Sequence, residues 1–196
     1  MTTGLDIGFR LDERWHLLRG ERMDSKQDDL LVVARVLNEA GIDWALIGGL
    51  AYQIHANDPR TTLDIDLAIR VRDQIPREAL RRGGFAATGS FAFTESWQGP
   101  GGTPVQFSDE ASFAEALRTA ETLELAGVVL RVINKLEFVR AKLRAAAEPQ
   151  RRRTKALRDL IDLETILEEN PDLDAQLGVD DRARMLLARA RVSQPD

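Results

Sequence analysis

Residues 44–47, Trp-Ala-Leu-Ile, form an unbroken apolar run that is followed directly by Gly48 and Gly49. The run is too short for a globular helix, so it predicts a buried strand. The glycine pair indicates a turn, after which residues 50–56 are predicted to form a short helix. That helix should end before Pro59, because proline disfavours a helical conformation in the residue that precedes it.

Residues 62–70 alternate strictly and predict a strand with one core face. The apolar side chains share that face: Leu63, Ile65, Leu67 and Ile69. Asp64 and Asp66 point the other way, with Cα atoms roughly 6.5 to 7 Å apart. Two same-side carboxylates at this spacing can lean onto one metal ion or a close pair of ions. Mg²⁺ favours such carboxylates together with substrate phosphates.

The N-terminal part of the chain predicts two helices. Residues 1–9 are expected to be loose, and residues 11–22 can form a short amphipathic helix. The predicted apolar stripe of this helix contains Leu11, Trp15, Leu18 and Met23. Ser25 is the predicted N-cap of the second helix, whose apolar residues recur at helical spacing until Gly41 provides a stop signal.

The middle of the chain alternates between short predicted strands and turns. Residues 73–82 predict a helix with Pro76 in its first turn, and residues 111–117 predict another. Strands are predicted at residues 85–87, 91–93, 103–107, 122–125 and 128–133, with turns at residues 99–102 and 126–127. The three strands between residues 85 and 107 are expected to extend the sheet.

The last third of the chain is predicted to be helical. Residues 134–137, Asn-Lys-Leu-Glu, resemble a capping box and open a helix that runs to about residue 147. A helix at residues 152–169, ended by Pro171, has an apolar stripe of Leu157, Leu160, Ile161, Leu163, Ile166 and Leu167. A final helix is predicted at residues 180–191. The predicted fold class is therefore α+β, with a helical C-terminal region.

Composition narrows the class of protein. The 196-residue chain is 43% hydrophobic, so it can bury a core of its own. It contains no cysteine, which excludes disulfides, thiol catalysis and a cysteine-ligated zinc site. Residues 1–22 contain no apolar run long enough for a signal peptide or membrane span, so we expect a cytoplasmic protein with no membrane partner. The net charge of -5 argues against a surface that coats nucleic acid.

The glycine pair and the aspartate pair together indicate nucleotide chemistry. Glycines at a strand-to-helix junction allow backbone N–H groups to approach a phosphate at the helix N-terminus. Each feature alone has a simpler interpretation, namely a tight turn for the glycines and a solvated strand face for the aspartates. Their order within residues 44–70 favours the combined site.

These residues resemble the nucleotidyltransferase fold, specifically its AbiEii-like branch in bacterial toxin-antitoxin and phage-defence systems. The resemblance rests on Gly48, Gly49, Ala51, His55, Arg60, Thr62 and Asp64-Ile65-Asp66-Leu67, and continues more loosely into residues 136–142 and 158–162. It covers about residues 42–167 and implies a mixed β-sheet flanked by helices. We therefore divide the chain into an N-terminal helical extension (1–24), a nucleotidyltransferase-like α/β core (25–133) and a helical C-terminal region (134–196).

The resemblance also implies an activity, the transfer of a nucleoside monophosphate from an NTP to a hydroxyl with release of pyrophosphate. Asp64 and Asp66 would be catalytic and would hold Mg²⁺ or Mn²⁺. The implied nucleotide-binding residues are Gly48, Gly49, Arg60, Thr62 and Lys142. Implied partners are a tRNA or protein acceptor and a cognate antitoxin or toxin. For Arg60, bracing of the two aspartates is an alternative role, and Lys142 has the alternative of a solvated or salt-bridged lysine.

One position departs from the family's pattern. Active members carry a third carboxylate on a later strand, and this chain has Gln106 at the corresponding place. An amide can offer a carbonyl oxygen to a metal, but it cannot act as general base for the attacking hydroxyl. Asp109 lies nearby, yet its strand parity differs from that of Gln106, so it would need a bulge or the end of the strand to reach the same face.

Three functional hypotheses follow. The first is an active nucleotidyltransferase, and the second is a catalytically impaired protein of the same fold that binds nucleotide, RNA or a partner. The third is an RNA-binding protein that uses the basic residues of segment 140–158, for which a solvated helical corner is the alternative. His55 is predicted either to orient the aspartate strand or touch a nucleotide, or to bond backbone at a helix end.

Overall fold

The computed structural model describes residues 4–20 and 26–193, which fall into two compact units. The first unit ends at Ile133 and the second begins at Asn134. Helices of the first unit are α1 (Gly4–Leu18), α2 (Lys26–Glu39), α3 (Gly48–His55), α4 (Arg77–Arg82) and α5 (Ala114–Arg118). Its strands are β1 (Trp44–Leu46), β2 (Ile65–Ile69), β3 (Ala86–Ser90), β4 (Thr94–Gln98), β5 (Pro104–Ser108), β6 (Glu121–Leu125) and β7 (Val128–Val132).

Over the described residues, the strands form a seven-stranded sheet in the order β3-β4-β5-β2-β1-β7-β6. Strand β2 runs antiparallel to β1 and parallel to β5, and β1 runs parallel to β7. Helices α2, α3 and α5 pack against β7, β2 and β1 respectively. The predicted α+β class, with a mixed sheet flanked by helices, is therefore confirmed.

The apolar run at residues 44–47 lies inside this sheet, where β1 is flanked by β2 and β7. All three residues of β1 are buried, and Leu46 pairs with Leu67 on one side and Val132 on the other. Both faces of the strand are covered, which explains why its sequence shows no alternation. The buried Trp44 indole donates its N–H to Asn38 Oδ1 at 3.0 Å, so its polar edge is also satisfied.

The prediction for the N-terminal helix was wrong in both its bounds and its buried face. Helix α1 already begins at Gly4, and it buries Leu5, Gly8 and Phe9. The predicted stripe residues Leu11, Trp15 and Leu18 are exposed, and Met23 and Ser25 lie outside the described residues. Small size decides the packing, because a Cβ on Gly8 would lie 2.6 Å from Gln53 Nε2 of α3. Only glycine allows the two helices to approach so closely.

Two element boundaries near the aspartates also differ from the predictions. Helix α3 begins directly at Gly48 rather than at residue 50, and it ends at His55. Strand β2 begins at Ile65 rather than at residue 62, so Asp64 precedes the ladder and Leu63 is exposed. The alternation of residues 62–64 continues the strand pattern, but no neighbouring strand pairs with these residues over the described part of the chain.

The strand predicted at residues 91–93 is instead the tip of the β3–β4 hairpin. Phe91 and Phe93 are exposed there, and the strand itself spans residues 94–98. Arg72 fixes the tip by donating to the carbonyl oxygens of Phe91 and Ala92 at 2.8 and 2.6 Å. Pairing of β4 with β5 buries Glu95 and Trp97. The Glu95 carboxylate accepts hydrogen bonds from Arg77 and from the Trp97 indole.

The second unit consists of helices α6 (Lys135–Ala147), α7 (Arg153–Glu169), α8 (Pro171–Asp174) and α9 (Val179–Ser193) over its described residues. The predicted helix start is confirmed with Asn134 as its N-cap, since Asn134 Oδ1 accepts the Glu137 N–H at 2.9 Å. Leu157 and Ile161 of the predicted α7 stripe are exposed. Asp159 and Asp162 belong instead to the buried face of α7. Across the described residues, no helix is both long and apolar enough to span a membrane.

Candidate functional site

The candidate site is built around the turn that joins β1 to α3. Ile47 donates its N–H to the Asp66 carbonyl at 3.0 Å, which holds the turn against β2. Gly48 has a φ of +62°, a conformation that strains residues with a side chain. A Cβ on Gly48 would lie 2.9 Å from Asp66 Cγ. The Asp66 carboxyl group therefore packs directly on the glycine backbone.

Gly49 makes the second close approach of the turn. A Cβ at this position would lie 2.6 Å from Thr62 Cβ. Helix α3 thus begins with two glycines, each covered by a side chain from the segment that carries the aspartates. Ile47 is the N-cap and its side chain makes no capping hydrogen bond. First-turn N–H groups have no acceptor within a helix, so this end of α3 favours an anion such as a phosphate.

Asp64 and Asp66 lie beside this turn and are both half-buried. Asp66 belongs to β2, whereas Asp64 precedes the strand by one residue. Among the residues that the structure describes, no group of three or more His, Cys, Asp or Glu side chains is placed to hold a metal ion. Two carboxylates still fit Mg²⁺, because this ion is commonly held by one or two carboxylates together with substrate phosphates and water.

Gln106 is the direct cross-strand neighbour of Asp66. The two residues pair in the parallel β2–β5 ladder, and Ser96 of β4 pairs with Gln106 on its other side. In-register residues of neighbouring strands point to the same face, so Asp66, Gln106 and Ser96 form a polar row across the sheet. Asp109 lies beyond the end of β5 and forms a 2.8 Å salt bridge with Arg72.

Two residues that the sequence analysis did not select bind the backbone of Thr62, next to the aspartates. Asp12 of α1 and Lys26 of α2 form a salt bridge, and their side chains are only 4% and 3% exposed respectively. Asp12 Oδ1 accepts the Thr62 N–H at 2.9 Å, and Lys26 Nζ donates to the Thr62 carbonyl at 2.6 Å. Burial lowers the pKa of Lys26 below its ordinary value, while the Asp12 carboxylate acts in the opposite direction.

A sequence signal for this pair does exist. Asp12 follows Leu5, Gly8 and Phe9 at helical spacing, so a carboxylate occupies the buried face of α1. Lys26 stands four residues before Leu30 and likewise extends the buried face of α2. Buried opposite charges on two helices require each other. Recognising them from sequence requires the correct face of α1, which the predicted stripe did not give.

Arg60 and His55 have contacts that bear on their predicted roles. The Arg60 guanidinium lies over the Tyr52 ring, 5.1 Å from its centroid, and donates to the Thr61 carbonyl. Its binding to phosphate or to the aspartates stays a prediction. His55 is buried, and its Nε2 is 2.6 Å from the Ile133 carbonyl oxygen. The interpretation of His55 as a histidine bonded to backbone at a helix end is therefore confirmed.

Lys142 belongs to the second unit and is salt-bridged there. Its Nζ lies 2.9 Å from Asp159 and 2.7 Å from Asp162, both of which are buried. The alternative interpretation of Lys142 as a salt-bridged lysine is therefore confirmed. Arg151 also pairs with Asp159, so part of the basic segment is neutralised within the helical unit. Phosphate binding by Lys142 stays a prediction.

Comparisons with known proteins identify the fold. The chain is similar to an antigenic nucleotidyltransferase-like protein from Paracoccidioides brasiliensis, with 21% identity, a TM-score of 0.54 and coverage of 87% of this chain and 92% of that one. It is also similar to the antibiotic-resistance factor ANT(2'')-Ia in complex with adenylyl-2''-tobramycin, with 17% identity, a TM-score of 0.56 and coverage of 86% and 100%.

A solution structure of ANT(2'')-Ia gives a TM-score of 0.57 at 16% identity, with coverage of 86% of this chain and 94% of that one. No protein-family model and no curated protein sequence matches the chain. The predicted nucleotidyltransferase-like fold is therefore confirmed at the level of structure.

Proposed function

We propose that this protein binds an NTP with a divalent cation at the β1–α3 turn and transfers the nucleoside monophosphate to a hydroxyl. The observation that carries the proposal is the packing of the Asp66 carboxyl group on Gly48, at the uncapped N-terminus of α3. In this proposal the backbone at Gly48 binds an anion and the neighbouring Asp66 carboxylate binds a cation. A phosphate with its metal ion requires both.

Each residue of the site has a distinct task in this proposal. The backbone N–H groups at Gly48 and Gly49 bind phosphate oxygens, and Asp64 and Asp66 hold Mg²⁺ or Mn²⁺. When bound, the ion offsets the charge that develops on the α-phosphate and on the departing pyrophosphate. The Thr62 side chain packs against Gly49 and so helps to fix the conformation of the turn. Arg60 is a further proposed phosphate contact.

The acceptor hydroxyl is proposed to belong to a tRNA end or to a protein, in a toxin-antitoxin or phage-defence setting. The resemblance of residues 48–67 to the AbiEii-like branch supports this setting, and a cognate antitoxin or toxin would then be the partner. ANT(2'')-Ia, found with adenylyl-2''-tobramycin, supports transfer to a hydroxyl by a protein of this fold. A cytoplasmic location is part of the same proposal.

A second candidate function is nucleotide binding without turnover. It is favoured by the register of Gln106 against Asp66, because a neutral amide beside the carboxylate cannot accept a proton from an attacking hydroxyl. Such a protein would retain Mg²⁺-dependent NTP binding and act as a regulatory module. Both candidate functions predict Mg²⁺-dependent NTP binding, and only the first predicts nucleotidyl transfer.

Mg²⁺-dependent NTP binding is expected to be lost when both aspartates are replaced. We expect Asp64→Asn/Asp66→Asn to weaken calorimetric NTP affinity in Mg²⁺ by about 100-fold or more, equivalent to about 2.7 kcal/mol. The physical reason is the loss of both anionic ligands of the cation. Affinity measured with EDTA should not fall, because the variant retains the glycine turn and no longer has two carboxylates that repel phosphate.

The matched control removes two negative charges elsewhere. Asp172 and Asp174 of α8 are exposed, so Asp172→Asn/Asp174→Asn gives the same change in net charge. This variant should bind Mg²⁺-NTP with the affinity of the wild type. Equal affinities of the Asp64/Asp66 variant and the wild type would refute the proposed metal site.

A further inference from the structure

The Asp12–Lys26 pair holds Thr62, a residue of the site segment, through both of its backbone polar groups. Asp12 accepts the Thr62 N–H and Lys26 donates to the Thr62 carbonyl, so the donor and the acceptor of one residue are both fixed by buried charges. Charge-assisted hydrogen bonds of this kind are stronger than neutral ones. The Thr62 side chain is at the same time packed against Gly49. Thr62 is consequently fixed on its backbone and on its side chain.

Asp64 depends on this anchoring more than Asp66 does. Strand β2 begins at Ile65, so Asp66 is fixed by pairing with Gln106, whereas Asp64 lies outside the described ladder. Two residues of extended chain separate the Thr62 and Asp64 Cα atoms, roughly 6.5 to 7 Å. Thr62 is therefore a fixed point of the backbone close to Asp64, on the side of Asp64 where no strand pairing is described.

We propose that Asp12 and Lys26 are positioning residues that set the place of Asp64 relative to Asp66 and the glycine turn. The inference rests on the proposed function and extends it to α1 and the start of α2. Both lie outside the segment that resembles the nucleotidyltransferase family, which begins near residue 42. The positive charge of Lys26 also acts on Asp64 through space, as an attraction between the two groups.

The energetics of buried ion pairs supports a positioning role. Removing two charges from water offsets much of their mutual attraction, and a buried pair can often be replaced by neutral residues with little loss of stability. The Asp12–Lys26 pair is therefore a weak source of folding energy compared with the apolar contacts of Leu5 and Phe9. Its more specific effect is to fix the backbone position of Thr62.

The test replaces both charges together, as Asp12→Asn/Lys26→Met in the full-length protein. This change leaves no unpaired buried charge and removes the donor to the Thr62 carbonyl. Affinity for α,β-methylene-ATP is measured by calorimetry in Mn²⁺ and in EDTA. The decisive quantity is the ratio of the two dissociation constants, because a general loss of structure weakens both, whereas misplacement of Asp64 weakens only binding in Mn²⁺.

A control variant and a second readout complete the design. Glu95→Gln neutralises another buried, ion-paired carboxylate of the same unit. Residue 95 alternates with Ser96 along β4, so its side chain lies on the opposite face from Gln106. Hydrogen exchange of the Thr62 amide, followed by NMR without ligand, reports directly on how firmly Asp12 and Lys26 hold Thr62. Asp12→Asn alone serves as a second variant of the ion pair.

The proposal predicts that the EDTA-to-Mn²⁺ ratio falls at least about tenfold in Asp12→Asn/Lys26→Met and keeps its wild-type value in Glu95→Gln. Thr62 amide exchange should accelerate about tenfold or more in the double variant. Faster Thr62 exchange with an unchanged ratio, in both Asp12→Asn/Lys26→Met and Asp12→Asn, would overturn the positioning role and leave the proposed function intact. Absence of Mn²⁺-dependent binding in the wild type would instead overturn the proposed function, and the inference with it.

Discussion

Replacement of Gly48 by alanine is expected to weaken NTP binding strongly while the protein stays folded. Two effects act together at this position. The left-handed backbone with φ +62° costs an alanine about 1–2 kcal/mol, and the added Cβ would meet the Asp66 carboxyl group. Relief of that clash must move either the turn or the carboxylate. We expect the calorimetric dissociation constant for Mg²⁺-NTP to rise about 100-fold or more.

Gly41 offers a matched control for the backbone strain. Its φ is +63°, and a Cβ added there would have no heavy atom within 4 Å. Urea unfolding of Gly41→Ala should therefore show the same loss of about 1–2 kcal/mol without any loss of NTP affinity. Equal NTP affinities for Gly48→Ala and Gly41→Ala would show that the contact with Asp66 has no part in binding.

The second large effect is expected from a gain of charge, Gln106→Asp. A carboxylate beside Asp66 supplies both a further metal ligand and a group that can accept the proton of the attacking hydroxyl. General-base assistance contributes typically 10² to 10⁴ in rate, so we expect nucleotidyl transfer to rise by about 100-fold or more. Without metal, repulsion between adjacent carboxylates should lower the free energy of unfolding by several tenths of a kcal/mol.

Ser96→Asp is the control for this gain. Ser96 occupies the same row one strand further from Asp66, so a carboxylate there adds the same charge outside the metal site. Transfer rates should not rise in Ser96→Asp. Rates in Gln106→Asp that stay at or below the wild-type value would contradict the assignment of position 106 to the reacting face of the site. Both variants are assayed with saturating NTP and metal.

The features that sequence reasoning predicted correctly are local ones. The apolar run before Gly48 predicted a buried strand because its lack of alternation reflects two covered faces. The Asn134 cap was predicted from a contact that spans three residues. The glycine turn and the aspartates were selected because their chemistry lies within one short segment. In each case the necessary partners are close in sequence.

The errors arise where a distant contact decides between two acceptable patterns. Helix α1 has an apolar residue at Leu11, Trp15 and Leu18, yet the face with Gly8 is buried because only a glycine fits against Gln53. The alternation that includes Leu63 continues the strand pattern, but a strand ends where its pairing ends. Neither the approach of two helices nor the end of a ladder is encoded in the periodicity of one segment.

Sequence reasoning also missed the support behind the site for the same physical reason. Asp12 and Lys26 contact Thr62 across 50 and 36 residues of chain. Each appears in the sequence as an ordinary charged residue of an amphipathic helix. Their burial makes them informative, because an ionised side chain in the core requires a partner. A charged residue on the apolar stripe of a helix is the signal that could have identified them.

The most direct test of the proposed activity follows the α-phosphate of the NTP. The protein is incubated with Mg²⁺, a tRNA pool and each of ATP, GTP, CTP and UTP labelled at the α-phosphate, beside an Asp64→Asn variant. We expect label to become covalently attached to an acceptor, with release of pyrophosphate, in the wild type and not in Asp64→Asn. Mg²⁺-dependent NTP binding without any Asp64-dependent transfer of label to tRNA or protein would contradict the proposed activity.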